Sequence, residues 1–250
     1  MRVKAVVAYD GTGYGGFQRQ KNALSIQEEL QRALEKLTGA PCPILAAGRT
    51  DAGVHAEGQV IAFDTEWRHP LTDLRRGMNA LLPRQIAVIR AEQTRPTFHP
   101  RYDALRRWYR YTLYREVVRN PLVARFSLHI AETLNVEAMR VAASLLVGQQ
   151  DFAAFGSPVV GENTVRQVYR ALWTEQDAWL YFDIEANAFL YRMVRMIVGT
   201  LLRVGKGVLS PDEFGDILRT CNRRKAGPAV AAQGLCLKAV SYAEETCAPV

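Results

Sequence analysis

An α+β fold is predicted from three features of the 250-residue sequence. Runs with the two-residue period of strands alternate with longer runs that have the period of amphipathic helices. The first third has the order β-α-β-β-α-β, and the same order then recurs. Each set matches a split β-α-β, or ferredoxin-like, half. We therefore predict two tandem halves, residues 1–103 and 104–250, whose antiparallel sheets join into one extended sheet flanked by helices.

The first half opens with a short apolar strand at Val3–Tyr9. A helix follows over residues 25–38, because apolar residues recur there at helical spacing and Ser25 and Glu28 match a capping box. The remaining predicted elements are a short strand at 43–47, a strand at 59–63, a helix at 71–81 closed by Pro83, and a strand at 85–90.

The second half opens with a strand of aromatic and basic residues at Trp108–Tyr114. Its first helix is predicted over 136–147, with apolar residues up to Val147 facing inward. Two strands joined by a polar turn follow at 165–173 and 179–185. A long apolar helix is predicted at 189–204, a second helical piece from Pro211, and a last strand at 235–242.

The loop after the first strand contains the spacing G-x-G-x-x-G, formed by Gly11, Gly13 and Gly16. In dinucleotide-binding proteins this motif requires a helix that opens on the last glycine. Here the predicted helix begins only at Ser25. We therefore predict a flexible, polar loop that grips a substrate, with Gln18 among the contacts.

Charge and composition indicate a polyanionic partner. The formal net charge is +7, and 26 of the 32 basic residues are arginines. Nine of these arginines fall between Arg90 and Arg125, interleaved with tyrosines and Trp108. Cations and stacking rings suit unpaired RNA bases, although a strand with a basic solvent face and an aromatic core face gives the same pattern.

Asp51 is a lone carboxylate between glycines at the tip of a predicted loop, in the run Gly48–His55. Glycine lets backbone approach a ligand closely, and small neighbours leave the carboxylate accessible. Two other interpretations remain: a β-turn with a solvated Asp51 paired to Arg49, and a metal site formed with His55.

Cysteines and hydropathy narrow the class of protein. Cys42, Cys221, Cys236 and Cys247 are scattered without a Cys-x-x-Cys pair, which argues against a zinc site or a disulfide framework. The N-terminus lacks the apolar core of a signal peptide, and the most apolar segment, 189–204, contains three arginines. We expect a cytoplasmic protein without a membrane span.

Three segments taken together resemble the tRNA pseudouridine synthase A family: Gly48–His55, Ala104–Tyr111 and Phe189–Arg195. The resemblance covers nearly the whole chain. It implies an isomerase that converts uridine to pseudouridine at positions 38, 39 and 40 of the tRNA anticodon stem-loop. It further implies no cofactor, no metal, and a homodimer with RNA spanning both subunits.

The resemblance also implies roles for individual residues. Asp51 matches the catalytic aspartate, Tyr109 matches the tyrosine that stacks on the target base, and Arg195 matches the basic residue that pairs with the aspartate. We further predict Arg49, Arg107 and Gln18 as substrate contacts alongside Tyr109.

The chemistry is compatible with these residue types. A carboxylate can act covalently at a base–sugar centre, and a nearby arginine favours its ionised form. The target base must leave its stack, and the detached uracil must be kept from water. Whether Asp51 attacks the ribose, attacks the uracil or removes a sugar proton stays open. Two alternative functions also stay open: a non-catalytic RNA-binding protein, and a metal-dependent phosphodiesterase that uses Asp51 and His55.

Overall fold

The computed structural model describes residues 1–158 and 161–243, and these ranges contain ten strands and five α-helices. Two compact units are present. Unit 1 comprises Met1–Arg107 and the described residues from Leu237 onward, and unit 2 comprises Trp108–Cys236. The predicted halves, 1–103 and 104–250, differ from these units because the last strand returns to the N-terminal unit. Cys247 lies outside the described residues.

Unit 1 is built in the predicted order β-α-β-β-α-β. Its elements are β1 (Arg2–Tyr9), α1 (Ile26–Thr38), β2 (Leu45–Ala46), β3 (His55–Asp64), α2 (Leu71–Leu81) and β4 (Ile86–Gln93). Helix α1 begins where predicted, because the Ser25 hydroxyl accepts a hydrogen bond from the Glu28 N–H at 3.3 Å. It ends at Gly39, whose positive φ of 74° suits only a residue without a Cβ.

Unit 2 contains most of the remaining elements. They are β5 (Ala104–Tyr114), which starts in unit 1, then β6 (Leu128–His129), α3 (Val136–Ser144), β7 (Gly148–Asp151), β8 (Val165–Gln176), β9 (Trp179–Ala186), α4 (Met193–Gly205), α5 (Pro211–Arg219) and β10 (Leu235–Tyr242), which ends in unit 1.

The strands pair in the continuous order β4-β1-β3-β10-β5-β9-β8-β7, with β2 paired to β3 and β6 to β5. β1 is antiparallel to both β3 and β4, and β8 is antiparallel to both β7 and β9. Strands β5 and β10 each run from one unit into the other. The prediction of an α+β fold with one extended sheet is confirmed.

Two helix boundaries in unit 2 differ from the prediction, and backbone conformation explains both. Helix α3 ends at Ser144, and Gly148 follows with φ of 114°, so Val147 is 48% exposed and its predicted inward orientation is wrong. Helix α4 begins at Met193 instead of residue 189, because Arg192 has φ of 61°. A left-handed residue cannot continue a right-handed helix toward its N-terminus.

Candidate active site

Asp51 lies on the loop that joins β2 to β3. Its side chain is partly exposed, whereas the preceding Thr50 is 7% exposed. The Val54 N–H donates to the Asp51 carbonyl at 3.1 Å, and Gly53 turns the chain with φ of 77°. The loop therefore presents the Asp51 carboxylate from a backbone that is folded back on itself.

The glycines of the loop after β1 pack directly beneath the Asp51 loop. The Phe17 N–H donates to the Thr50 carbonyl at 3.1 Å. A Cβ on Gly16 would lie 2.7 Å from that same carbonyl oxygen, and a Cβ on Gly11 would overlap the Val54 carbonyl. Close packing of the two loops thus explains Gly11 and Gly16, whereas Gly13 has open space around it and a positive φ of 83°.

A buried polar network supports the Asp51 loop from the side of the sheet. The Tyr9 hydroxyl lies 2.8 Å from the Thr50 hydroxyl. The Gln59 side-chain amide donates to the Gly48 carbonyl at 2.9 Å and to the Tyr9 hydroxyl at 3.4 Å. The sequence analysis did not single out Tyr9 or Gln59 for the site. The available signal was Gln59 itself, a polar residue inside the apolar run of β3.

His55 is buried at the start of β3, and its Nδ1 atom lies beside the Gly11 N–H and the Asp10 carboxylate. Nδ1 lies 3.1 Å from the Gly11 N–H nitrogen and 3.1 Å from the Asp10 carboxylate. An unprotonated Nδ1 accepts from Gly11, whereas a protonated Nδ1 donates to Asp10, so only one of the two bonds forms at a time. In either state His55 ties the Asp51 loop to the loop after β1.

Nothing in the described ranges supports the metal-dependent alternative. Within residues 1–158 and 161–243, no three His, Cys, Asp or Glu side chains are grouped so that they could hold a metal ion. The same ranges contain no helix with the length and apolar character needed to span a membrane.

The three predicted RNA contacts of unit 1 fall into two classes. Gln18 and Arg49 are exposed. Arg107 is only 8% exposed, and its guanidinium donates to three backbone carbonyls, those of Ala47, Arg101 and Ala104. Its bond to Ala47 at 3.1 Å anchors the segment that leads into the Asp51 loop. These contacts give Arg107 a structural role, and its contact with RNA stays a prediction.

Tyr109 and Arg195 belong to unit 2, and each is held in a defined orientation there. The Tyr109 ring packs edge-on against Phe189, with 5.0 Å between centroids and 82° between planes. Arg195, in the first turn of α4, donates from Nε to the Val230 carbonyl at 2.7 Å, and the Val230 N–H donates to the Arg195 carbonyl at 3.2 Å.

The segment that holds Arg195 is itself fixed by a buried tyrosine of β5. The Tyr111 hydroxyl donates to the Ala231 carbonyl at 2.7 Å. A Cβ on Gly234 would lie 2.6 Å from the Tyr111 ring, so the backbone approaches that ring closely only because residue 234 is glycine. Burial raises the pKa of the Tyr111 hydroxyl, with the nearby positive charge of Arg195 opposing the rise, so the hydroxyl remains a donor at neutral pH.

Comparison with known proteins decides the family. A family model described as tRNA pseudouridine synthase matches residues 5–103 and 142–243, which is more than half of the chain. The chain belongs to this family. Its members include curated relatives of nearly the same length as this chain.

Three relatives named tRNA pseudouridine synthase A illustrate the similarity. The protein of Syntrophotalea carbinolica is 46% identical over 98% of this chain and 98% of its own length. That of Moorella thermoacetica is 44% identical, and that of Geobacter sulfurreducens is 43% identical, each over 96% of this chain and 99% of its own length. The family assignment made from the three sequence segments is confirmed.

Proposed function

We propose that this pseudouridine synthase isomerises uridine to pseudouridine at positions 38, 39 and 40 of the tRNA anticodon stem-loop, with Asp51 as the catalytic carboxylate. The observation that carries the proposal is a partly exposed loop carboxylate, bracketed by glycines and held by packed backbone, in a chain of this family.

The reaction is an isomerisation, so its atoms balance without a co-reactant. The bond between N1 of the uracil and C1′ of the ribose breaks, and a bond between C5 and C1′ forms. The proton on C5 is lost, and N1 gains a proton. The Asp51 carboxylate takes part by attack on the ribose, by attack on the uracil or by removal of a sugar proton.

Tyr109 and Arg195 have complementary proposed roles. Tyr109 stacks on the target base, and its contact with Phe189 supports this role because the ring plane is fixed before the base arrives. Arg195 is the cationic partner of the Asp51 carboxylate. The Nε–H bond to Val230 supports this role, because it orients the guanidinium group.

RNA binding is proposed to depend on exposed basic and polar side chains, with Gln18 and Arg49 flanking the catalytic loop. Arg107 stays a predicted RNA contact from the sequence, but its 8% exposure places it outside this exposed set. The net charge of +7 supports a phosphate-dominated interface. We place the reaction in the cytoplasm on the basis of its tRNA substrate.

A homodimer is the proposed assembly. The segment Val117–Phe126 supports it, because Val117, Val118 and Leu122 are 84%, 74% and 87% exposed. Leu122 lies in a turn in which the Val123 N–H donates to the Asn120 carbonyl at 3.3 Å. Such exposed apolar groups are typical of interaction surfaces. Light scattering should give twice the chain mass of 28.0 kDa, and Leu122→Asp should shift it toward the monomer. A monomeric wild-type protein at micromolar concentration would contradict the assembly.

The site of modification is tested by mapping. Three transcribed tRNAs are used, each with uridine at only one of the positions 38, 39 and 40. Each is incubated with the protein and digested for nucleoside analysis. We expect pseudouridine in each, and none when all three positions are cytidine. Binding without any new pseudouridine would favour the RNA-binding alternative, and strand cleavage that a chelator stops would favour the phosphodiesterase.

A further inference from the structure

We propose that Tyr9 is a positioning residue for the reaction, which acts on the Asp51 carboxylate through the Thr50 side chain. The inference rests on the proposed role of Asp51. Tyr9 ends β1, where it is 4% exposed. Its effect on the reaction is therefore expected to pass through the loop that it contacts.

The Gln59 side chain sets part of the hydrogen-bond direction in this network. Only its amide nitrogen can donate to the Gly48 carbonyl, so that nitrogen also meets the Tyr9 hydroxyl as a donor. The Tyr9 oxygen accepts from Gln59 and lies 2.8 Å from the Thr50 hydroxyl, where either hydroxyl can donate to the other. The chain of hydrogen bonds thus ends on the residue next to Asp51.

Thr50 is fixed from two sides by this arrangement. Its side chain is held by Tyr9, and its carbonyl accepts the Phe17 N–H. Gly48, three residues before Asp51, is held by Gln59 at the same time. With both ends fixed, the short path from Gly48 to Asp51 has little freedom, and the carboxylate is directed before substrate binds.

One buried atom of the network has no protein partner within the part of the chain that the structure describes. The carbonyl oxygen of the Gln59 side chain is buried and has no hydrogen-bond partner in the described residues. A group left in this state is unfavourable, and such exceptions in a native structure ask for a functional reason. Holding the Gly48 carbonyl and the Tyr9 hydroxyl with one amide provides that reason here.

The test compares Tyr9→Phe with Tyr242→Phe under saturating tRNA. Both substitutions remove one hydroxyl from unit 1, and the Tyr242 hydroxyl also donates at 2.8 Å to a backbone carbonyl, that of Pro100. We expect Tyr9→Phe to lower kcat about tenfold or more, equivalent to roughly 1.4 kcal/mol of activation free energy, with KM within about twofold. Tyr242→Phe should leave kcat unchanged.

A second pair separates positioning from folding. Thr50→Val removes the hydroxyl at nearly constant size and should lower kcat as Tyr9→Phe does, whereas Thr50→Ser keeps the hydroxyl and should restore most of kcat. The double variant Tyr9→Phe with Thr50→Val should cost no more than either alone, because both break one interaction. Full kcat in both single variants, or a change in KM alone, would overturn the inference.

Asp51→Ala is assayed in the same series to keep two failures apart. If Asp51→Ala retains activity, the proposed catalytic role fails and the positioning inference falls with it. If Asp51→Ala is inactive while Tyr9→Phe and Thr50→Val turn over at the wild-type rate, only the positioning inference is overturned.

Discussion

At the scale of single residues, the contrast between Arg195 and a lysine shows what its geometry contributes. The guanidinium uses Nε for the Val230 carbonyl and still carries further donors on a rigid plane. A lysine ammonium also has three donors, but they share one nitrogen atom and cannot reproduce the planar spacing of the guanidinium nitrogens. Charge alone is therefore insufficient for the proposed role.

Arg195→Lys should lower kcat by about 10- to 100-fold, with tRNA affinity nearly unchanged. Arg203→Lys is the matched control, because Arg203 lies on the same helix and also donates to a backbone carbonyl, that of Lys225, at 2.7 Å. Steady-state kinetics on a tRNA transcript decide. Equal rates for both variants and the wild-type protein would remove Arg195 from the catalytic set.

At the scale of elements, helix α4 is positioned by its contact with the segment 227–234. A Cβ on Gly199 would overlap the Pro228 carbonyl oxygen, and the Gly227 N–H donates to the buried Thr200 hydroxyl at 2.8 Å. The same segment carries Val230, so the close approach permitted by Gly199 also determines where the Arg195 side chain is held.

Gly199→Ala should therefore reverse the usual effect of alanine in a helix. Alanine normally stabilises a helix interior by about 0.5–1 kcal/mol relative to glycine. Here the collision should lower the free energy of unfolding by roughly 1–3 kcal/mol and also reduce kcat. Urea titration measures the first effect, and the nucleoside assay measures the second.

Gly215→Ala provides the comparison within helix α5. Its Cβ would meet only the end of the Leu145 side chain at 3.2 Å, which can move aside. This variant should be as stable as the wild-type protein or slightly more so. If Gly199→Ala proves equally harmless, the backbone contact at Pro228 does not constrain α4.

The same scale shows how far the sequence predicts the structure. Strands β1 and β10 and helices α1 and α2 begin and end within one residue of their predicted bounds, because the signals for them are local. Hydrophobic periodicity marks all four elements, Ser25 marks the start of α1, and Pro83 follows the end of α2. The start of α4 was missed because Phe189 and Leu190 continue the apolar pattern, while the left-handed conformation of Arg192 leaves no trace in hydropathy.

The contacts around Asp51 were predicted less completely than the fold. Asp51 was selected because it matches the catalytic aspartate of the family, and its role stays a prediction. The support from Tyr9 and Gln59 was not predicted, since it depends on the pairing of β1 with β3, which brings distant side chains together. Arg107 was assigned to RNA from its charge, and only its burial reveals the backbone carbonyls that it binds.

At the scale of the whole molecule, the net charge of +7 predicts strongly salt-dependent tRNA binding. The logarithm of the association constant should fall linearly with the logarithm of salt concentration, by about 0.7–0.9 per neutralised phosphate. Fluorescence titrations from 50 to 300 mM salt, as an order-of-magnitude range, measure the slope. A flat response would contradict a phosphate-dominated interface.

The contribution of Arg49 to this salt dependence can be measured separately. Arg49→Gln should reduce the salt slope by roughly the amount expected for one phosphate contact, and it should weaken the binding of all tRNAs similarly. Arg76→Gln is the control, because Arg76 is exposed on α2 and pairs there with Asp73 at 3.8 Å. Identical slopes for the two variants would remove Arg49 from the RNA interface.

The central claim is that the Asp51 carboxylate carries out the isomerisation, and single-turnover kinetics of Asp51→Asn test it most directly. Asp64→Asn is the control, since Asp64 is a surface carboxylate of the same unit, paired with Arg2 at 2.7 Å. The account predicts a fall of roughly 10⁴-fold or more in the pseudouridine-forming rate for Asp51→Asn, with tRNA affinity within about threefold and Asp64→Asn unaffected. A rate within about tenfold of the wild-type value for Asp51→Asn would contradict it.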